Sequence, residues 1–333
     1  MGIHQAIIIG AGQAGLATAY YLRKWGVDTL LLDAHVRPGG SWNQVWDSLT
    51  LFSTAEFSSL PGMQMRSGGG ELHPADVREY FAAYEQRYGF DIRRPVLVDK
   101  VTDEGGHFRI TTDGETFRAT HVVMATGTQS RPFVPQIPGS VSCQHWHTAN
   151  YPGAETFRGT KVAVVGAGNS GAQLAAELSE VADVTWLVRS APKFMPDDID
   201  GTELFRRSKR RALQELHGEE ITEPSVGELG DIIVTDSIRR AREEGRLTWS
   251  DVPDSLDDLD VDHLIWATGY RPALRPVSEL LDDSRQPTVQ NLHLVGYGDW
   301  TGAGSATITG VGPFARQVAE SIASNYRPSS AQS

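Results

Sequence analysis

The chain has 333 residues, a formal net charge of −12 and one cysteine, Cys143. That length suits about two domains with cores large enough to need no staples. The acidity disfavours nucleic acid and anionic membrane surfaces as partners, because both repel a negative protein. A lone cysteine excludes an intrachain disulfide or redox dithiol and fits a reducing, cytoplasmic setting.

The first apolar run, Ala6 to Ile9, leads into Gly10-Ala11-Gly12-Gln13-Ala14-Gly15, and a helix is expected from Leu16 to Lys24. The glycines and Gln13 argue for a strand, turn and helix rather than a membrane span, and no basic region precedes the run as a secretory signal would require. Thr29 to Leu32 reads as a second buried strand that ends at Asp33, followed by Ala34. In such a unit the first glycine permits a tight turn. The second lets the backbone approach a pyrophosphate, and the third lets helix and strand close together. The helix N-terminus then offers free N–H groups to the phosphates.

The middle of the chain repeats this plan. Lys161 to Val165 leads into Gly166-Ala167-Gly168-Asn169-Ser170-Gly171, a helix is expected over Ala172 to Val181, and a strand over Val184 to Arg189. Arg189 stands as far from Gly166 as Asp33 does from Gly10. The two end residues separate the ligands. A carboxylate can bind both hydroxyls of an adenosine ribose and repels a 2′-phosphate, so the first unit suits FAD or NAD. A guanidinium attracts that phosphate, with the Ser190 hydroxyl beside it, so the second suits NADPH.

A second repeat frames the middle unit. His121 to Gly127 is mirrored by His263 to Gly269, each a short strand ending in Ala-Thr-Gly and each followed by Arg-Pro. These read as the strands at which the chain crosses between units. The expected layout is α/β, with two Rossmann-like dinucleotide-binding domains, the NADPH domain inserted into the FAD domain. The FAD domain takes residues 1–152 and 270–327, the NADPH domain 153–269, and residues 328–333 form a flexible tail. Leu292 to Asp299 is a further strand ending in glycine and acid, and a helix is expected from Pro313 to Ser324. Residues 249–262 read as an acidic loop.

Several other features carry less. His145 and His147 have ligand spacing but no accompanying cluster, so no metal is expected. Asp197 to Gly201 reads as a helix N-terminal turn rather than a calcium loop, since Pro196 stands where a ligating acid is needed. Arg206 to Arg211 reads as a solvated helix face.

Together these residues resemble the bacterial flavin-containing monooxygenase-like family, especially its short members, often encoded near arsenic-resistance or metal-efflux genes. The resemblance spans nearly the whole chain. It includes both glycine motifs, both Ala-Thr-Gly segments, Gly39-Gly40-Ser41-Trp42 and Gly298-Asp299. The family's Phe-x-Gly-x-x-x-His-x-x-x-Tyr motif is kept at His147 and Tyr151, with Val141 and Cys143 in place of Phe and Gly. The resemblance implies FAD on Gly10, Gly12, Gln13, Ala14, Gly15, Asp33, Ala34, Gly40, Trp42, Thr126, Gly127, Gly298 and Asp299. It implies NADPH on Gly166, Gly168, Asn169, Ser170, Gly171, Arg189, Ser190, Thr268 and Gly269. Ser53 and Thr54 stand where many members place a flavin-side asparagine, and with Trp300 they are the flavin-adjacent candidates. A helix start after Asp299 is expected to stabilise charge on the reduced ring.

The implied activity is monooxygenation of a small molecule: NADPH reduces the flavin, which then takes up O2 as an oxygenated flavin adduct. Two alternatives differ in class. One is an NADPH-dependent flavin reductase or oxidase without oxygen insertion, and the other a non-catalytic NADPH- and FAD-binding sensor. A homodimer is compatible with either.

Overall fold

The computed structural model describes residues 2–66, 71–196, 202–204, 206, 207, 210, 214, 220, 222 and 232–326. The expected tail at 328–333, the Asp197 to Gly201 turn and half of the basic stretch lie outside the described residues. Within that stretch Arg207 and Arg210 pair with Glu203 at 2.8 and 3.5 Å.

The described strands form two sheets. The first runs β3 (Asp91–Arg93), β2 (Thr29–Leu32), β1 (His4–Ile9), β6 (Thr116–Met124), β5 (Phe108–Thr112), β4 (Val98–Asp103). β3, β2, β1 and β6 are parallel, and β4 to β6 form an antiparallel meander. The far half of β6 also pairs with β12 (Leu292–Leu294). The second sheet is parallel throughout, in the order β10 (Trp249–Asp251), β9 (Asp183–Val188), β8 (Lys161–Val165), β11 (His263–Trp266), β7 (Gln144–His147).

The unbroken apolar runs of β1 and β8 follow from burial on both faces. Ala6 and Ile8 face a core built with α1 (Gln13–Lys24), α2 (Pro74–Tyr88) and α5 (Val311–Ser324), whereas Ile7 and Ile9 face one built with the meander. β8 divides likewise. Val162 and Val164 lie under α3 (Asn169–Leu178) and α4 (Asp236–Glu243), and Ala163 and Val165 face Leu256, Leu264 and Trp266.

Some boundaries differ from the sequence reading. α1 and α3 begin at Gln13 and Asn169, inside the glycine motifs, because the helix starts as soon as the turn closes. The segment after Asp299 is only a three-residue 3-10 turn, Asp299–Thr301; α5 begins at Val311. No helix start therefore follows Asp299 directly. Trp249–Asp251 is not loop but the edge strand beside β9. Strand β7, on the first-domain side of a division at 152/153, hydrogen-bonds to β11 and so belongs to the second sheet.

Under β12, His293 stacks on the buried His121, with ring centroids 5.6 Å apart, and Asn325 Nδ2 lies 3.1 Å from His121 Nε2. Burial, with His121 beside it, holds the His293 imidazole down at about 4. A histidine depressed in the fold supplies stability in full above its unfolded value near 6.5 and loses it as pH falls towards its folded value. Denaturant unfolding should show stability falling by on the order of 3 kcal/mol between pH 7 and 4 from this group. His293→Leu should flatten that part of the profile; an unchanged slope in the variant would refute the assignment.

Candidate functional site: two glycine turns and their linkers

The two glycine turns are built alike. Gly10 has φ +105° and Gly166 φ +138°, where only glycine is comfortable. A Cβ on Gly10 would collide with the Ala125 carbonyl oxygen, and one on Gly166 with that of Ala267. A Cβ on Gly15 would meet the Gly10 carbonyl, and one on Gly171 that of Gly166. Each turn is thus closed between its own helix and the Ala-Thr-Gly segment beside it. The indole N–H of Trp186 donates to the Gly166 carbonyl at 2.8 Å and anchors the second turn from below.

Neither helix start is capped by a side chain. The first N–H groups of α1 and α3 therefore have no intrahelical acceptor, as a phosphate-binding turn requires. Gly40, at φ +53°, brings its backbone against the first turn, where an added Cβ would lie 2.8 Å from Gly12 Cα. The Trp42 indole donates to Gln13 Oε1 at 3.2 Å, and Gln13 Nε2 donates to the Ala306 carbonyl. Arg78 holds this segment from α2 through the Trp42 carbonyl at 3.1 Å.

Asp33 is buried at the end of β2. Arg94 Nε donates to its Oδ2 at 2.6 Å, and the His35 ring lies 3.1 Å from its Oδ1. Burial alone would raise this carboxyl; the hydrogen bonds of His35 and Arg94 and their charges outweigh it and hold the group below its usual range. Ala34, next along, is exposed. At the matching place in the second unit, Arg189 and Ser190 are exposed, and Arg189 forms no ion pair among the described residues.

Other expected contacts have local work. The Thr126 hydroxyl donates to the Ala273 carbonyl at 2.8 Å and accepts from the buried Tyr297 hydroxyl at 2.7 Å. The Thr268 hydroxyl donates to the Phe133 carbonyl at 2.5 Å. Asn169 Oδ1 accepts from the Ile233 N–H at 2.8 Å and ties residues 232–234 to the start of α3. Ser53 Oγ lies 2.8 Å from the Ser58 hydroxyl. Thr54 is exposed. Trp300 is 36% exposed, its ring tilted against Tyr297. Asp299 Oδ1 accepts from the Gly304 N–H at 3.2 Å, and Gly298 precedes it at φ +96°. Ser170, Gly127 and Gly269 line the turn and linkers with their backbones.

The two linkers run beside each other. Phe133 N–H donates to Gly269, Arg271 N–H to Arg131 and Ala273 N–H to Gly127, all at 2.8 to 2.9 Å. The Arg271 guanidinium lies over the Phe133 ring, 4.4 Å from its centroid. The buried His147 sits against Tyr270 at this crossing. Its Nδ1 accepts from the Ala149 N–H at 3.1 Å, which places the ring proton on Nε2.

Sequence reasoning missed Arg94, Glu85 and Arg78, since none lies in a recognisable motif, and Tyr297, which lies in the Leu292 to Asp299 segment but whose partner Thr126 is distant in the chain. It also missed a cavity of about 680 Å³ lined by Trp46, Tyr151 and Glu177 among others. Cys143 is partly buried among Ile137, Val141 and Leu256, and burial pushes its thiol up, so it is not a poised nucleophile. No metal-ligating cluster occurs among the described residues, and no described helix is long and apolar enough to cross a membrane.

Two glycine turns without side-chain caps, an acid at the end of the first unit and a cation at the end of the second have the form of two dinucleotide sites, and the class is that of the pyridine nucleotide-dependent oxidoreductases. Residues 7–292 match the model of the pyridine nucleotide-disulphide oxidoreductase family, and the chain belongs to that family and to the bacterial flavin monooxygenase-like group within it. The CzcO-like oxidoreductase of Geobacillus kaustophilus is 30% identical over 96% of this chain and 98% of its own length. The flavin-containing monooxygenase of Stenotrophomonas maltophilia superposes with a TM-score of 0.86 at 34% identity, covering 98% of this chain and all of that one. The bacillithiol disulfide reductase of Staphylococcus aureus, at 16% identity and a TM-score of 0.73, shares the fold.

The Gly40 contact gives a direct test. Gly40→Ala should push the segment off the first turn and yield protein that purifies with little flavin. Full flavin content by absorbance would show that the approach of Gly40 to Gly12 is not needed for FAD.

Proposed function

We propose that the protein is an NADPH-dependent flavin monooxygenase that inserts one atom of O2 into a small molecule. The observation that carries this reading is the 34% identity to a flavin monooxygenase over 98% of the chain. The single cysteine supports it by leaving no dithiol to receive electrons. FAD, when bound, supplies the hydride acceptor and the oxygen chemistry.

The chain's own residues bind, orient and exclude water. Asp33 accepts the adenosine ribose of FAD, and the uncapped start of α1 meets its pyrophosphate. Arg189 and Ser190, exposed at the end of β9, take the 2′-phosphate of NADPH. Phe52 reaches from the Leu49 to Thr54 segment to pack on Met195, Leu204 and Ile233. An apolar contact at this place excludes water, which favours oxygen transfer over release of peroxide. We place the NADPH domain at about 153–269 with β7 joined to its sheet, the remainder forming the FAD domain, and the whole in the cytoplasm.

A flavin reductase or oxidase is the second reading. It is favoured by Ser53, whose hydroxyl is engaged by Ser58 where many family members have an asparagine.

Labelled dioxygen separates the two. With NADPH and a panel of thioethers, amines and ketones, the monooxygenase should give products carrying one labelled oxygen. NADPH consumption with all label in peroxide and water would contradict insertion. A second test addresses the cofactor: Arg189→Ala should narrow the NADPH-over-NADH preference in kcat/KM at least tenfold, about 1.4 kcal/mol. An unchanged preference would remove Arg189 from the phosphate site.

A further inference from the structure

We propose that Arg94 is a positioning residue for FAD: it fixes and orients the Asp33 carboxylate so that this acid is preset for the adenosine ribose. The inference rests on the reading that Asp33 receives that ribose.

Arg94 follows β3 and joins three elements. Its Nε donates to Asp33 Oδ2 at 2.6 Å, at the end of β2. Its two terminal nitrogens donate to both oxygens of Glu85 on α2, each at 2.7 Å. The bidentate pair fixes the guanidinium plane, so the direction in which Nε points is set by the helix rather than by a free side chain. All three side chains are well buried, with exposures of 12%, 3% and 11% for Arg94, Asp33 and Glu85. A pair this dry holds its geometry more firmly than a surface ion pair does.

The acceptor count supports a role towards a ligand. A carboxylate oxygen has about two lone-pair sites. Among the described residues Oδ2 accepts only from Arg94, which leaves one of its sites open. Oδ1 accepts from the His35 ring at 3.1 Å and only weakly from the His35 main chain at 3.4 Å. Arg94 thus uses one acceptor and leaves the carboxylate in one rotamer with acceptor capacity remaining. An uncommitted aspartate would have to be ordered on binding, at an entropy cost.

The charged and titratable groups that act on Asp33 are His35 in its own loop and Arg94 after β3, with Glu85 of α2 behind Arg94. Without Arg94, its share of the lowering is lost while burial and His35 remain, and the carboxyl would take up a proton at higher pH. A protonated acid is a poorer acceptor for ribose hydroxyls. Loss of Arg94 should therefore weaken FAD most on the acid side.

The test is FAD binding to apoprotein by fluorescence quenching, from pH 5 to 8, for wild type, Arg94→Met, Arg94→Lys, Glu85→Gln and Asp33→Asn, with the apoprotein Tm of each. Arg94→Met should raise the FAD Kd at least tenfold at pH 7 and move the acid fall-off in affinity to higher pH. Arg94→Lys, which keeps the charge but loses the planar fork that grips Glu85, should fall between the two. Glu85→Gln, which loosens Arg94 without touching Asp33, should change Kd in the same direction and serves if Arg94→Met fails to fold. A lower Tm with unchanged FAD Kd and pH profile would make Arg94 purely structural and overturn the proposal. Asp33→Asn separates the premise. If it too binds FAD normally, the ribose assignment fails. If it alone is weakened, only the role of Arg94 fails.

Discussion

Two backbone carbonyls govern the architecture. The Ala125 oxygen lies 2.4 Å from where a Cβ on Gly10 would be, and the Ala267 oxygen 2.3 Å from where a Cβ on Gly166 would be, both too close for a side chain. Each glycine turn is therefore packed against the neighbouring strand, whose last carbonyl, on leaving the sheet, crowds the space a side chain would need. The helix closes from the other side, with Gly15 and Gly171 against the carbonyls of Gly10 and Gly166. Turn, helix and linker are fixed as one object, twice, and the ligand-facing N–H groups of α1 and α3 inherit that rigidity.

The same linkers carry the chain between sheets. They are joined by main-chain hydrogen bonds and tightened by the Thr126 and Thr268 hydroxyls, which reach across to the opposite linker. Motion of one unit against the other must therefore begin beside the two glycine turns, where we propose the nucleotides bind. The two residues we propose to read the nucleotides are prepared differently. Asp33 is locked by Arg94 and His35 before any ligand arrives, whereas Arg189 stands exposed. A preset, buried site suits a resident cofactor, and an open one suits a nucleotide that must enter and leave with each turnover.

Much of this was legible in the residues because it is dictated locally. The glycines, the strand before and helix after each turn, and the contrast of Asp33 with Arg189 are short-range patterns whose physics leaves few options. The paired Ala-Thr-Gly segments were recognisable as repeats. Their contact with Gly10 and Gly166 was not, because it spans more than a hundred residues of chain. Long-range side-chain chemistry was hidden for the same reason. Arg94, Glu85 and Asp33 meet only once β2, β3 and α2 are assembled, and Tyr297 meets Thr126 only after β12 joins β6. β10 was misread because Trp249-Ser250-Asp251 is exposed at a sheet edge and lacks an apolar run. That β7 joins the second sheet was not legible, because its pairing with β11 is non-local.

The central claim is that the first turn holds a flavin which the second turn's NADPH reduces. Anaerobic titration of the purified yellow protein with NADPH, followed by flavin absorbance, tests it most directly. The account predicts bleaching that is complete at a stoichiometric amount of NADPH, with NADH markedly slower. Colourless protein that takes up no added FAD, or bound flavin that NADPH leaves oxidised, would contradict it.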